Sequence, residues 1–226
     1  DRLVRGDTFV KQVGGAELNV AVGVALLGLR TGVISKLPSH DMGSFMKGKI
    51  RSYGVSDDFF MYDDSPSARV GIYYYENGAY PRKPKVIYDR ANSSFYSLKI
   101  DEIPEKAYTA SRCFHTSGIT LALSPKVRET TIEMIKRFKA AGTLVSFDVN
   151  FRGNLWTGEE AKECIEQILP YVDIFFCSED TARLTFKKTG TAREMMKSFT
   201  EEYPISIVAS TQRIVHSPKS HTFGSI

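Results

Sequence analysis

Short apolar runs recur along this chain with helix-length segments between them. The runs are residues 32–36, 113–116, 144–149, 174–177 and 205–209. A short, mostly apolar run suits a buried strand, and parallel strands need a crossover of a dozen or more residues. The intervening segments supply those crossovers. The pattern predicts an α/β fold with a mostly parallel sheet flanked by helices.

The helical segments carry their own signals. Residues 17–29 bear apolar side chains almost all round (Leu18, Val20, Val22, Val24, Leu26, Leu27), which predicts a deeply packed helix. Ser124-Pro125 marks a helix start, with Ser as N-cap and Pro at the first helical position. Val127, Met134, Ile135 and Phe138 then form one stripe, and Gly142 supplies the stop. Ser178-Glu179-Asp180 opens another helix, with negative charge at the positive end of its dipole.

One region breaks the series. Residues 69–75 and 85–90 alternate like strands, and the turn-rich Glu76-Asn77-Gly78-Ala79-Tyr80-Pro81 joins them without a helix. This predicts an antiparallel hairpin in a small sheet of its own, to which residues 10–13 and 58–62 can add strands.

Composition narrows the function classes. The chain has 226 residues and a formal net charge of +4, from 30 basic and 26 acidic side chains spread along it. So mild an excess does not argue for nucleic acid, but it suits one anionic ligand. No apolar run approaches the ~20 residues that span a bilayer, and Asp1-Arg2-Leu3 does not open a signal peptide. Cys113, Cys164 and Cys177 form neither a zinc pattern nor a disulfide framework, which predicts buried thiols and a cytoplasmic setting.

Ligands of an open parallel sheet bind beyond the carboxyl ends of its strands. Two such segments are rich in chemistry: Thr116-Ser117-Gly118-Ile119-Thr120 and Asp148-Val149-Asn150-Phe151-Arg152. The second places a carboxylate, an amide and a guanidinium within five residues, although Asp and Asn also cap turns. Gly14-Gly15 precedes a helix, where a backbone without Cβ atoms can approach a ligand and Asn19, one turn in, can meet hydroxyls. Paired glycines are also a plain turn. On the hairpin, Tyr88 and Arg90 share a face, as do Tyr73 and Tyr75. Phenols suit a sugar, and Arg grips a carboxylate or phosphate; a solvated amphipathic ribbon is the competing reading.

Two decoys are set aside. Residues 43–49 have Walker A spacing, but Ile50 stands where that motif needs Ser or Thr for Mg²⁺, and residues 41–51 read as a helix with Phe45 and Ile50 inward. His40, His115, His216 and His221 have no metal spacing, and His115 reads as a satisfied core residue.

Gly14-Gly15-Ala16-Glu17-Leu18-Asn19-Val20-Ala21, Lys36-Leu37-Pro38, Val86-Ile87-Tyr88-Asp89-Arg90-Ala91, His115-Thr116-Ser117-Gly118-Ile119-Thr120 and Asp148-Val149-Asn150-Phe151-Arg152, with Leu155-Trp156, occur in this order. Together they resemble the ribokinase-like (PfkB) carbohydrate kinases, and within them the 2-keto-3-deoxygluconate kinase branch. The resemblance implies one Rossmann-like domain over residues 1–226 with a β-sheet lid from about 9–14, 57–62 and 69–90. It implies ATP- and Mg²⁺-dependent phosphorylation of 2-keto-3-deoxygluconate to 2-keto-3-deoxy-6-phosphogluconate. Gly15 and Asn19 would lie against the sugar acid, with Tyr73, Tyr88 and Arg90 reaching it from the lid. Ile119 would line the pocket, and Arg152 would meet both substrate and transferred phosphate. Asn150, Ser178 and Thr211 would serve the nucleotide, and Glu179 the metal ion. Separately, the exposed edges and tyrosines of the small standing-off sheet predict a homo-oligomer paired through the lid.

The family's Gly-Ala-Gly-Asp-like segment, which carries its catalytic Asp, has no counterpart among these residues, nor has its first strand. In place of the family's Asn-x-x-Glu stands Ser178-Glu179-Asp180-Thr181. The domain therefore reads as incomplete at both ends and the fragment as inactive. Two alternatives stand beside the sugar-acid kinase: a neutral-sugar kinase such as a fructokinase, and a non-catalytic sugar-acid-binding protein.

Overall fold

The computed structural model describes residues 2–78, 81–217 and 220–226. The chain divides into two compact units, Asp1–Leu98 and Lys99–Ile226.

In the first unit, α1 (Ala16–Leu26) leads to β1 (Gly32–Pro38), and α2 (Asp41–Ser52) crosses to β2 (Ser56–Asp63). β1 and β2 pair in parallel. Their core is Leu18, Ala21, Leu37, Ile50, Val55 and Phe60. The Walker-like glycine Gly43 serves packing: a Cβ there would lie 1.8 Å from the Pro38 carbonyl oxygen, so α2 begins in backbone contact with the end of β1. β3 (Ile72–Glu76) and β4 (Lys85–Asp89) form the expected antiparallel hairpin, with Tyr73 opposite Tyr88. Ala79 and Tyr80 of its turn lie outside the described residues.

Three expectations change here. The helix of residues 17–29 is not deeply packed: only Leu18 and Ala21 are buried, while Leu26 and Leu27 are about four-fifths exposed. Apolar residues all round show that a helix can be covered, not that every side is. Residues 10–13 form no strand. The segment before Gly14 instead meets the hairpin through side chains, with the Phe9 and Tyr74 rings 5.5 Å apart. Residues 58–62 do lie in a strand, β2, but its partner is β1 rather than the hairpin.

The second unit holds the predicted parallel series. After α3 (Lys106–Thr109) come β5 (Cys113–Ser117), α4 (Gly118–Ala122), α5 (Pro125–Ala140), β6 (Leu144–Asp148), α6 (Gly158–Glu166), β7 (Ile174–Phe176), α7 (Glu179–Leu184), α8 (Ala192–Glu202) and β8 (Ile207–Ala209). The four strands are parallel in the order β5-β6-β7-β8. Ser117 faces Asp148, Asp148 faces Phe176, and Phe176 faces Ala209, so the carboxyl ends lie level.

Local chemistry sets the helices. The Ser124 hydroxyl accepts the Val127 amide at 3.2 Å, Pro125 takes the first helical position, and the Val127–Met134–Ile135–Phe138 stripe is buried. Gly142, at φ +80°, adopts the left-handed stop that other residues resist. Phe138, Phe147, Phe175 and Phe199 are fully buried. At the opposite sheet end from the strand termini, Asp173 takes the Val145 amide at 2.8 Å and Lys139 Nζ at 2.6 Å, while its carbonyl accepts the Ser206 and Ile207 amides.

The cysteines split. Cys164 and Cys177 are buried as expected, but Cys113 is exposed because it begins β5, before the strand enters the core. An additional antiparallel pair, β9 (Thr211–Ser217) with β10 (Ser220–Ser225), follows β8. Its polar composition carried no apolar alternation to announce it.

Candidate functional site

Within the first unit, the proposed sugar-binding residues form a connected series. Tyr73 and Tyr88 are direct cross-strand partners, with ring centroids 6.3 Å apart. The Arg90 guanidinium carbon lies 4.5 Å from the centre of the Tyr88 ring, within cation–π range. At the other end, the Tyr73 hydroxyl sits 2.6 Å from where a Cβ on residue 14 would be. Gly14, the first of the pair, is therefore the glycine that touches the hairpin. Gly15 caps α1 and accepts the Asn19 amide at 2.9 Å, and both Gly15 and Asn19 are exposed. Tyr73 and Tyr88 are each about half exposed, so phenol faces remain open beside a cation.

Burial pushes the Tyr96 phenol above the ordinary range, and the positive charge of Arg90 offsets part of that rise. Nearby, burial tends to raise the Asp63 carboxyl, but hydrogen bonds from Ser65 and Ser94 and the Lys36 charge outweigh it and hold Asp63 below the usual range.

Within the second unit, the remaining candidates gather beyond the level strand ends. Ile119 stands in the first turn of α4, after β5. Asn150 and Arg152 follow β6. The Asp148 carboxylate accepts the Asn150 amide at 3.0 Å, and Asn150 takes a left-handed conformation at φ 38°. This is the turn that Asp-x-Asn can cap. It leaves Arg152 exposed, with Nη1 donating to the Phe151 carbonyl at 3.0 Å. Ser178 follows β7 and caps α7, its hydroxyl 3.2 Å from the Thr181 amide. Thr211 follows β8, exposed at the start of β9.

Two residues brace that edge. A Cβ on Gly118 would lie 2.1 Å from the Val149 carbonyl oxygen and 3.5 Å from the Trp156 indole. Trp156 is buried, with the Arg128 guanidinium 5.6 Å over its ring. Leu155-Trp156 was visible as a motif; that Gly118 and Val149 touch was not.

A magnesium ion fits this chain only in part. The Glu179 carboxylate is engaged by Arg183 at 3.0 Å. Among the described residues, no group of three or more His, Cys, Asp or Glu is arranged to hold a metal ion. His115 is a strand residue with Nδ1 2.9 Å from the Ser146 hydroxyl. Among the described residues, no helix is long and apolar enough to cross a membrane.

The chain is 35% identical over 212 residues to the 2-dehydro-3-deoxygalactonokinase of Haloferax volcanii, covering 94% of this chain and 66% of that protein. It superposes on the 2-dehydro-3-deoxygluconokinase of Thermotoga maritima with a TM-score of 0.92 at 32% identity, covering all of this chain and 70% of the other. A sugar kinase of Pyrococcus horikoshii, solved in complex with ATP, shares the fold at 23% identity and a TM-score of 0.70, over 99% of this chain and 68% of its own. The chain spans less than two thirds of the length of the first curated relatives it matches. The model of the pfkB family carbohydrate kinases matches residues 1–212, and the chain belongs to that family.

Proposed function

We propose that this chain forms the sugar-acid-binding part of a kinase that transfers the γ-phosphoryl group of ATP to 2-keto-3-deoxygluconate, giving 2-keto-3-deoxy-6-phosphogluconate and ADP. The observation that carries the reading is the Tyr73–Tyr88–Arg90 series ending on Gly14. A neutral sugar is satisfied by hydroxyl-binding groups, whereas an acid also needs a cation, and a guanidinium beside phenols supplies both. The relatives named for keto-deoxy sugar acids support the same class.

In this proposal Gly15, Asn19, Tyr73, Tyr88 and Arg90 bind the acid, with Ile119 and Arg152. Arg152 also meets the transferred phosphate. Asn150, Ser178 and Thr211 serve ATP, whose use is supported by family membership and by the ATP-bound relative. Magnesium when bound would shield phosphate charge. Glu179 is the acid offered to it, and Arg183 must yield first. No Gly-Ala-Gly-Asp-like segment occurs in the 226 residues, so deprotonation of the acceptor hydroxyl is assigned to none of them.

We take the β3–β4 hairpin, with residues 9–14 against it, as the lid. Its exposed Tyr75, Val86 and Ile87 make it the surface by which two copies would pair. Sedimentation showing only monomer at micromolar concentration would remove that pairing.

The test is equilibrium binding of 2-keto-3-deoxygluconate and of fructose to the chain, with Arg90→Ala beside it. Loss of one hydrogen bond to a charged group costs about 1.5–3 kcal/mol, or roughly ten- to hundredfold in affinity. That loss should fall on the acid alone. Equal losses would favour a fructokinase, and acid binding by a complete gene product that consumes no ATP would favour a binding protein.

A further inference from the structure

The base of the hairpin is held by one side chain that the substrate reading does not use. Arg69 stands just before β3. Its Nη1 donates to the Ala91 carbonyl oxygen at 3.2 Å and its Nη2 to the Asp89 carbonyl oxygen at 3.3 Å. The same Nη2 lies 2.8 Å from the Asp89 carboxylate. The Arg69 backbone completes the grip: its amide donates to the Ser94 hydroxyl at 3.2 Å, and its carbonyl accepts the Ser94 amide at 2.8 Å.

Arg90 is the residue between the two gripped carbonyls. Across the hairpin, a Cβ on Gly71 would meet the Arg90 Cβ at 3.1 Å, so the start of Arg90 is confined on that side as well. This matters because a two-stranded hairpin is marginal alone, and β4 is exposed along its whole length. An arginine at the frayed end of such a strand would sample many directions. Asp89 has a second effect: it pairs with the Arg69 charge, so Arg69 does not offer the anion a rival partner.

We propose that Arg69, together with Asp89, is a positioning residue that fixes the backbone on both sides of Arg90 and so sets the preference for an acidic over a neutral sugar. The selectivity part rests on the reading of Arg90 as the carboxylate partner; the clamp rests on geometry alone.

The experiment therefore has two readouts on Arg69→Ala and Arg69→Lys. Calorimetry with 2-keto-3-deoxygluconate and with fructose should show Arg69→Ala weakening the acid by about tenfold and fructose by under about twofold, on the scale of one charge-assisted contact. Arg69→Lys, which keeps one ion pair to Asp89, should recover part of the acid affinity. Hydrogen exchange should show the Ser93 amide, which donates to the Arg90 carbonyl oxygen at 3.3 Å, opening about fivefold faster in Arg69→Ala, with the β1–β2 amides unchanged. An unchanged Ser93 amide, or acid and fructose weakening together, overturns the proposal. A wild-type chain that binds no acid overturns the substrate reading and the selectivity drawn from it, and it is distinguishable because the Ser93 amide still reports the clamp.

Discussion

The Tyr73 hydroxyl lies 2.6 Å from the position of a Cβ on residue 14, so the glycine pair and the hairpin meet at one phenol. Gly14→Ala must displace that hydroxyl. The obstacle is the end of a half-exposed side chain, which can swing aside, so stability should change by no more than about 0.5 kcal/mol. On the proposed function binding should suffer more, because the phenol is displaced from where it would meet the sugar. We expect an unchanged melting temperature with acid affinity weakened about five- to tenfold, one neutral hydrogen bond's worth. A melting temperature that falls while affinity holds would place Gly14 in packing alone.

Gly118→Ala is the contrasting case. Its Cβ would press into the Val149 backbone carbonyl at 2.1 Å, and backbone cannot swing away. Overpacking of this kind costs about 1–3 kcal/mol. The displaced segment carries Asn150 and Arg152 and is lined by Trp156, the chain's single tryptophan. Thermal unfolding should show the loss, and the emission maximum of Trp156 should shift. An unperturbed spectrum in a destabilised variant would mean the strain relaxes elsewhere.

These two glycines show what was legible in the sequence. Gly14-Gly15 announced a close backbone approach, but not to what, because the partner Tyr73 lies on a distant strand. The parallel series could be read because strands covered on both faces are mostly apolar, as in Ile174-Phe175-Phe176, and that is a local property. The exposed side of α1 could not be read, because composition tells which faces can be covered and not which are. Tyr88 and Arg90 were visible as alternation on one strand. Arg69 acts through contacts between segments, and no spacing rule reports those.

Asp173 should be a stability residue with no role at the proposed site. Its carboxylate joins β6 to α5 at the opposite end of the sheet from the candidate residues. Asp173→Ala leaves the Val145 amide buried without its acceptor and Lys139 without its partner. The expected cost is about 3 kcal/mol, discounted for the partly exposed lysine. Chemical denaturation measures it, and the ligand affinity of the folded fraction should be unchanged. A loss under about 1 kcal/mol would mean that water replaces the carboxylate.

The thiols give a prediction in alkaline solution. Burial, with a smaller contribution from Asp148, pushes the Cys177 thiol up to about 12 from an ordinary 9.0. The native state therefore holds its proton where the unfolded chain has released it. The stabilisation is fully present below the unfolded value and is lost as pH rises from there toward the folded value. Stability should decline from pH 9 to 11, and Cys177→Ala should flatten part of that decline. In native protein at pH 8, a thiol reagent should modify the exposed Cys113 first, while Cys164 and Cys177 react only on unfolding. Rapid modification of all three in native protein would show that the β7 end opens readily, and the protection assigned to Cys177 would fall with it.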